Sequence, residues 1–157
     1  MVKKILFVCL GNICRSPAAE GVFKQKIKER DLEKLFVVDS AGTGGWHVGN
    51  LADSRMRESA LSRGIELTSR SRKIEESDLY EFDHILVMDN DNLDAVKSLI
   101  KDHKNPVKSK IKLILSFSKK SQLEEVPDPY YGVQNGFDTV IDLLDDAIDG
   151  LIDSLID

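Results

Sequence analysis

The chain has 157 residues, of which 41% are hydrophobic and 31% charged, with a net charge of −5. That length suits one domain with its own core, and that composition suits a globular protein rather than a disordered one. The negative balance argues against nucleic acid or an anionic membrane as the main partner, yet a few local cations and helix-end amides would still hold a small anion.

Residues 4–9 form a continuous apolar run rich in β-formers, the pattern of a strand buried on both faces. The run is too short, and is broken too soon by Gly11-Asn12 and Arg15, to read as a signal peptide. Ser16-Pro17 opens a helix, with serine as the cap, proline in the first turn, and Ala19, Val22, Phe23 and Ile27 as an apolar stripe. Residues 35–39 read as a second strand and the glycine-rich residues 41–50 as a loop. Asp53 or Ser54 caps a helix ending at Gly64, with Met56, Ala60 and Leu61 turned inward. Residues 71–81 are polar and hold at most a short helix. Residues 84–88 give a third strand, Leu93, Val96 and Ile100 mark the next helix, and residues 103–109 read as a linker. Residues 111–115 give a fourth strand, and residues 116–132 a long loop of the kind that often carries function. Phe137, Val140, Ile141, Leu144, Ile148, Leu151, Ile152 and Leu155 recur at helical spacing. The aspartates between them read as a solvated helix face, because no loop has calcium-ligand spacing.

Strands separated by helices predict one α/β domain over residues 1–157. It is expected to be a flavodoxin-like three-layer sandwich: a four-stranded parallel sheet, order 2-1-3-4, with helices on both faces. Such sheets bind ligands beyond the carboxyl ends of their strands. Those ends fall near Cys9, Ser40, Met88-Asp89 and Ser116.

The first strand runs straight into Cys9-Leu10-Gly11-Asn12-Ile13-Cys14-Arg15-Ser16-Pro17. A loop that wraps back to a helix N-terminus aims backbone N–H groups and the helix dipole at one point, which suits a phosphate. Gly11 and Asn12 take left-handed backbone angles readily. Arg15 offers a planar fork for two phosphoryl oxygens. The same field is expected to favour a thiolate on Cys9, since thiols at helix N-termini beside cations titrate at about 3.5–7.5. A purely structural cysteine would not explain the cradle. The Ser16 hydroxyl is placed to bond that sulfur as well as to cap the helix. The loop lacks the Gly-Lys-Ser/Thr ending of a nucleotide-binding loop and the three-glycine spacing of a dinucleotide fingerprint. Two cysteines make no disulfide framework, and His47, His84 and His103 show no ligand spacing with them. No metal or cofactor is expected, and a reducing, cytoplasmic setting is.

Expelling an alkoxide or phenolate from phosphorus calls for a proton donor. Asp128 lies in the long loop at the correct sheet edge, between Pro127 and Pro129 and before Tyr130-Tyr131-Gly132. Local sequence alone leaves a catalytic acid and a simple Asp-Pro turn on equal footing. The loop from Val8 to Pro17, the segment Asp39-Ser40-Ala41-Gly42-Thr43 and the segment Asp128-Pro129-Tyr130-Tyr131-Gly132 together resemble the low-molecular-weight protein tyrosine phosphatases, and Met88-Asp89 with Asn92-Leu93 fits as well.

The resemblance implies Cys9 as nucleophile and Arg15, with the amides of Leu10, Gly11, Asn12, Ile13 and Cys14, as the phosphate cradle. It implies Asp128 as general acid and base, Ser16 and Ser40 as supports, and Trp46, Tyr130 and Tyr131 as walls for an aromatic ring. Ordinary packing is the plain alternative for those aromatics. Ile13 stands where phosphoarginine-directed relatives tend to carry threonine. Cys14 resembles a family cysteine that pairs reversibly with the nucleophile, and equally suits a small buried residue. Ser69 occupies a position where many relatives have a histidine that supports the cradle. Phosphotyrosine proteins are the implied partners, with phosphate, vanadate or sulfate as site anions. A thiol-relay arsenate reductase would need cysteines beyond Cys14, and a mere phosphopeptide binder would not need Cys9 and Asp128 together.

Overall fold

The computed structural model describes residues 2–101, 106–130 and 135–156. Four strands, β1 (Lys3–Cys9), β2 (Phe36–Gly42), β3 (His84–Val87) and β4 (Lys110–Leu113), form one parallel sheet in the order β2-β1-β3-β4. That order is the expected one. The central strand is the most apolar, and its alternate side chains serve two cores. Ile5, Phe7 and Cys9 pack with α1 (Arg15–Glu29) and α5 (Asn135–Leu155), whereas Leu6 and Val8 pack with Leu79, Phe82 and Val96 on the opposite face. The latter belong in turn to α3 (Asp78–Glu81), its C-terminal boundary and α4 (Asn90–Lys97). Helices thus cover both faces, as parallel sheets require. None of the helices is long and apolar enough to cross a membrane, among the described residues.

Three local features place the carboxyl edge of the sheet. β2 runs on to Gly42, past the residue 39 expected from sequence, so Ser40 and Ala41 are strand residues beside β1. α2 (Ser54–Leu61) is capped by Asp53, whose carboxylate accepts from Arg55 N (2.8 Å). β4 ends at Leu113 because Ile114–Phe117 tightens into a 3₁₀ turn that leads into the long loop. α5 lies directly on that turn: at Gly150 a Cβ would stand 2.0 Å from the Phe117 carbonyl oxygen. His103 and Tyr131 lie outside the described residues.

Candidate active site

β1 ends at Cys9, and the chain turns back into α1 within six residues. Five carbonyls of this turn are held from outside. Thr43 N donates to Cys9 O (2.9 Å), Gly44 N to Leu10 O (2.8 Å), Asp53 N to Ile13 O (2.7 Å) and Ala18 N to Cys14 O (3.2 Å). Ser71 Oγ donates to Gly11 O (3.0 Å). A trans peptide sets its N–H opposite its C=O. The N–H groups of Leu10, Gly11, Asn12, Cys14 and Arg15 are therefore turned the other way, toward the inside of the loop, as in an anion-binding nest. Asn12 sits at φ 56°, a left-handed conformation that asparagine tolerates. Gly42 lets β2 pass close beneath, where a Cβ would stand 2.9 Å from Leu10 O.

One buried hydrogen-bond chain orders the loop, and its polarity can be read. Arg72 N must donate, and it donates to Asn12 Oδ1 (3.0 Å), which fixes the amide orientation. Asn12 Nδ2 then donates to Ser16 Oγ (2.7 Å) and Ser40 Oγ (3.0 Å). Ser40 passes its own proton to Glu20 Oε1 (2.6 Å). Ser16, already accepting from Asn12, directs its proton to Cys9 Sγ at 3.1 Å or to Ala41 O at 3.4 Å, and the sulfur is nearer. Ser16 consequently does not cap α1. Cys14 holds the cap position with no side-chain bond, and the serine hydroxyl is drawn inward. Glu20 is 4% exposed and pairs with Lys24 (2.6 Å). Glu20 reaches Ser40 directly, and Ser69 lines a small recess beside it.

Arg15 is 2% exposed and anchored at both sides. Its Nη1 donates to Asp89 Oδ2 (2.6 Å) and to Val126 O (3.0 Å), and its Nη2 stands 3.5 Å from Asp128 Oδ2. Asp89 serves twice, since its other oxygen caps α4 through Asn92 N (2.8 Å). Val126 N donates to Met88 O (2.8 Å), which fastens the long loop to the end of β3 two residues before Asp128. Burial works against the Arg15 charge, but Cys9, Asp89 and Asp128 outweigh it and raise its titration above the usual range. Burial, then Asp53, Cys9 and Asp128, push the Cys14 thiol far up, which keeps it protonated.

These groups meet at a pocket of about 370 Å³ lined by Cys9, Leu10, Gly11, Ile13, Cys14, Arg15, Trp46, His47, Asp128 and Tyr130. Asn12, Ser16 and Ser40 lie behind this surface, in the buried network. Trp46 is 71% exposed and rests its ring over Gly44, where a Cβ would stand 2.0 Å from the indole. His47, which sequence reasoning passed over, lies against Gly11 and has its ring 6.2 Å from that of Tyr130. Asp89 is placed by sequence at a strand end and in a family-like segment but not as the anchor of Arg15, and Glu20 was missed. Asp89 carried a signal, a helix-capping aspartate at the carboxyl end of a strand. Glu20 carried none beyond being an acid on the apolar side of α1.

The family model for low molecular weight phosphotyrosine protein phosphatase matches residues 4–157. A Synechocystis protein assigned to the low molecular weight protein-tyrosine-phosphatases is 48% identical over 142 residues, covering 90% of this chain and 89% of that one. The solved protein tyrosine phosphatase from Entamoeba histolytica, with Hepes in its active site, superposes with a TM-score of 0.91 at 47% identity, covering 98% of this chain and 96% of that one. A Drosophila arginine phosphatase superposes with a TM-score of 0.92 at 30% identity, covering 98% of each chain. The chain belongs to the low molecular weight phosphotyrosine protein phosphatase family. It is an enzyme, a phosphoric monoester hydrolase of the protein-tyrosine-phosphatase kind.

Proposed function

We propose that this protein, a single phosphatase domain, hydrolyses phosphotyrosine and aryl phosphate monoesters through a phosphocysteine on Cys9. The reading is carried by one convergence: the Cys9 sulfur, the Arg15 guanidinium and the Asp128 carboxyl line one pocket, and the Ser16 hydroxyl stands 3.1 Å from the sulfur. In the first step the Cys9 thiolate attacks phosphorus and the bond to the leaving oxygen breaks. The protonated Asp128 carboxyl delivers its proton to that oxygen, so a phenol rather than a phenolate departs. In the second step Asp128, now a carboxylate, takes a proton from water as the water oxygen attacks phosphorus. The sulfur–phosphorus bond breaks, inorganic phosphate forms and the thiolate returns. The loop amides and Arg15 bind the equatorial oxygens throughout, where charge spreads in the transition state. Ser16 donates to the sulfur while it is charged.

Trp46, His47 and Tyr130 give the mouth flat walls that suit an aryl group. Ile13 offers no hydrogen bond to a phosphoguanidinium, which favours aryl esters over the substrate of the arginine phosphatase. The test is hydrolysis of p-nitrophenyl phosphate, phosphotyrosine peptide and phosphoarginine peptide, each with and without a chelator. Aryl ester turnover that survives chelation and is inhibited by vanadate is expected. Activity lost on chelation, or phosphoarginine turned over faster than phosphotyrosine, would overturn the reading.

A further inference from the structure

The acid loop and the cradle are joined by a bracket that the mechanism above does not use. Asp53 stands at its centre. Its backbone N–H holds the Ile13 carbonyl of the cradle at 2.7 Å, while its carboxylate is gripped by Arg55 through Nε (3.0 Å) and Nη2 (2.9 Å). The same Nη2 donates to the Tyr130 carbonyl (3.3 Å). The guanidinium also lies 5.4 Å from the centre of the Tyr130 ring and 4.7 Å from that of Phe137 on α5. Tyr130 N in turn donates to Asp128 Oδ1 (3.0 Å). The path therefore runs from the cradle backbone through Asp53, Arg55 and Tyr130 to one oxygen of the Asp128 carboxyl. The other oxygen, Oδ2, is the one beside Arg15.

We infer that Arg55 is a positioning residue for proton transfer, a role that rests on the reading of Asp128 as the acid. By fixing Tyr130 against the cradle, Arg55 holds Asp128 Oδ1 on the Tyr130 N–H and leaves Oδ2 to carry the proton toward the leaving oxygen. A planar, five-donor cation is needed, because one edge must grip a carboxylate while a corner reaches a carbonyl and the face covers two rings. A lysine can satisfy the charge of Asp53 and little else. The bracket fixes orientation, not the anion, so phosphate binding does not depend on it.

The experiment is kcat/KM of Arg55→Met and Arg55→Lys on a series of aryl and alkyl phosphates of rising leaving-group pKa, in native and Asp128→Ala backgrounds. Loss of alignment in Arg55→Met should cost about 10- to 100-fold on poor leaving groups and much less on p-nitrophenyl phosphate. In the Asp128→Ala background the same change should cost nothing further. Inhibition by inorganic phosphate should be unchanged, and Arg55→Lys should remain impaired on poor leaving groups. An equal loss for every leaving group, a loss that multiplies with Asp128→Ala, or full activity in Arg55→Lys would overturn the inference while leaving Asp128 as the acid. A flat leaving-group dependence for Asp128→Ala alone would instead overturn the acid assignment beneath it. If Arg55→Met unfolds, Arg55→Lys carries the same test.

Discussion

Two stretches of chain meet at the pocket, and they are held in different ways. The cradle, residues 9–16, is buried apart from Leu10 and Gly11, and its polar side chains close into a single network that reaches Ser40, Glu20 and Arg72. Among the described residues no buried side-chain nitrogen or oxygen lacks a partner. The acid loop, from Ser118 to Tyr130, is mostly exposed. It is fastened at a few points: Ser118 and the backbone of Lys119 and Lys120 to Asp146, Val126 to Met88 and Arg15, and Tyr130 to Arg55. A buried network fixes the floor, which in the proposed mechanism matches a tetrahedral anion and orients a sulfur. Point attachments suffice for the rim, which has to place one carboxyl. Damage to the floor should therefore show in both stability and catalysis, and damage to the rim mainly in catalysis.

The comparison can be broken most sharply at Cys9. Cys9→Ser should lower turnover by about 10⁴-fold or more, because the oxygen nucleophile is not ionised. Phosphate binding, followed by calorimetry, should persist, and a variant that keeps its turnover would remove the sulfur from the mechanism. Next comes Asp128→Ala, with a loss of about 10²- to 10⁴-fold for phenyl or alkyl phosphates and a smaller one for p-nitrophenyl phosphate. Its urea midpoint should fall only slightly, by about 1 kcal/mol or less in stability, since Asp128 is partly exposed and Asp89 and Val126 still hold Arg15 when it is removed.

Asn12→Ala reverses that pattern. It strands Arg72 N, Ser16 and Ser40 and puts alanine at a left-handed position, so unfolding free energy should fall by about 1–3 kcal/mol. Activity should fall with it. A urea midpoint matching the parent would show that the floor is not the rigid element.

The smallest effect is on acid stability. Burial holds the His84 imidazole below its usual value, and hydrogen bonds to Arg55 hold Asp53 below the ordinary carboxylate range. Both groups bind fewer protons folded than unfolded, so both stabilise above their unfolded pKa and lose that contribution as pH falls. For His84 the loss should begin below about pH 6.5, and for Asp53 only below about pH 4. His84→Gln should flatten the thermal midpoint between those limits, and an unchanged slope there would exclude the histidine.

The same contrast decides what could be read in sequence. The four strands, their parallel sheet and the helices on both faces followed from short apolar runs separated by helical stripes. The cradle was legible because its strand end, loop and helix start are contiguous, so spacing alone conveys the geometry. Its supports were legible only where the resemblance names them, at Ser16 and Ser40, and the anchors of Arg15 were not. Arg15 is anchored by Asp89 and Val126, 74 and 111 positions away, and such pairings leave no local pattern. Sequence gives Ser16 two uses, a bond to the Cys9 sulfur and a helix cap; the first is present at 3.1 Å, and the second is lost because the hydroxyl is drawn inward to the sulfur and Asn12. Asp128 could be separated from an ordinary turn only by the family resemblance. His47 and Arg55 gave no signal, since the loops that bring them to Tyr130 are irregular.

The central claim is that sulfur and phosphoryl group share the amide-lined loop at the start of α1. Its most direct test is a rapid acid quench of Asp128→Ala during turnover of an aryl phosphate, followed by peptide mass mapping. One phosphoryl group is expected on the peptide bearing Cys9 and none in Cys9→Ser carrying the same Asp128 change. Phosphate found on another residue, or turnover with no phosphoenzyme at all, would contradict it.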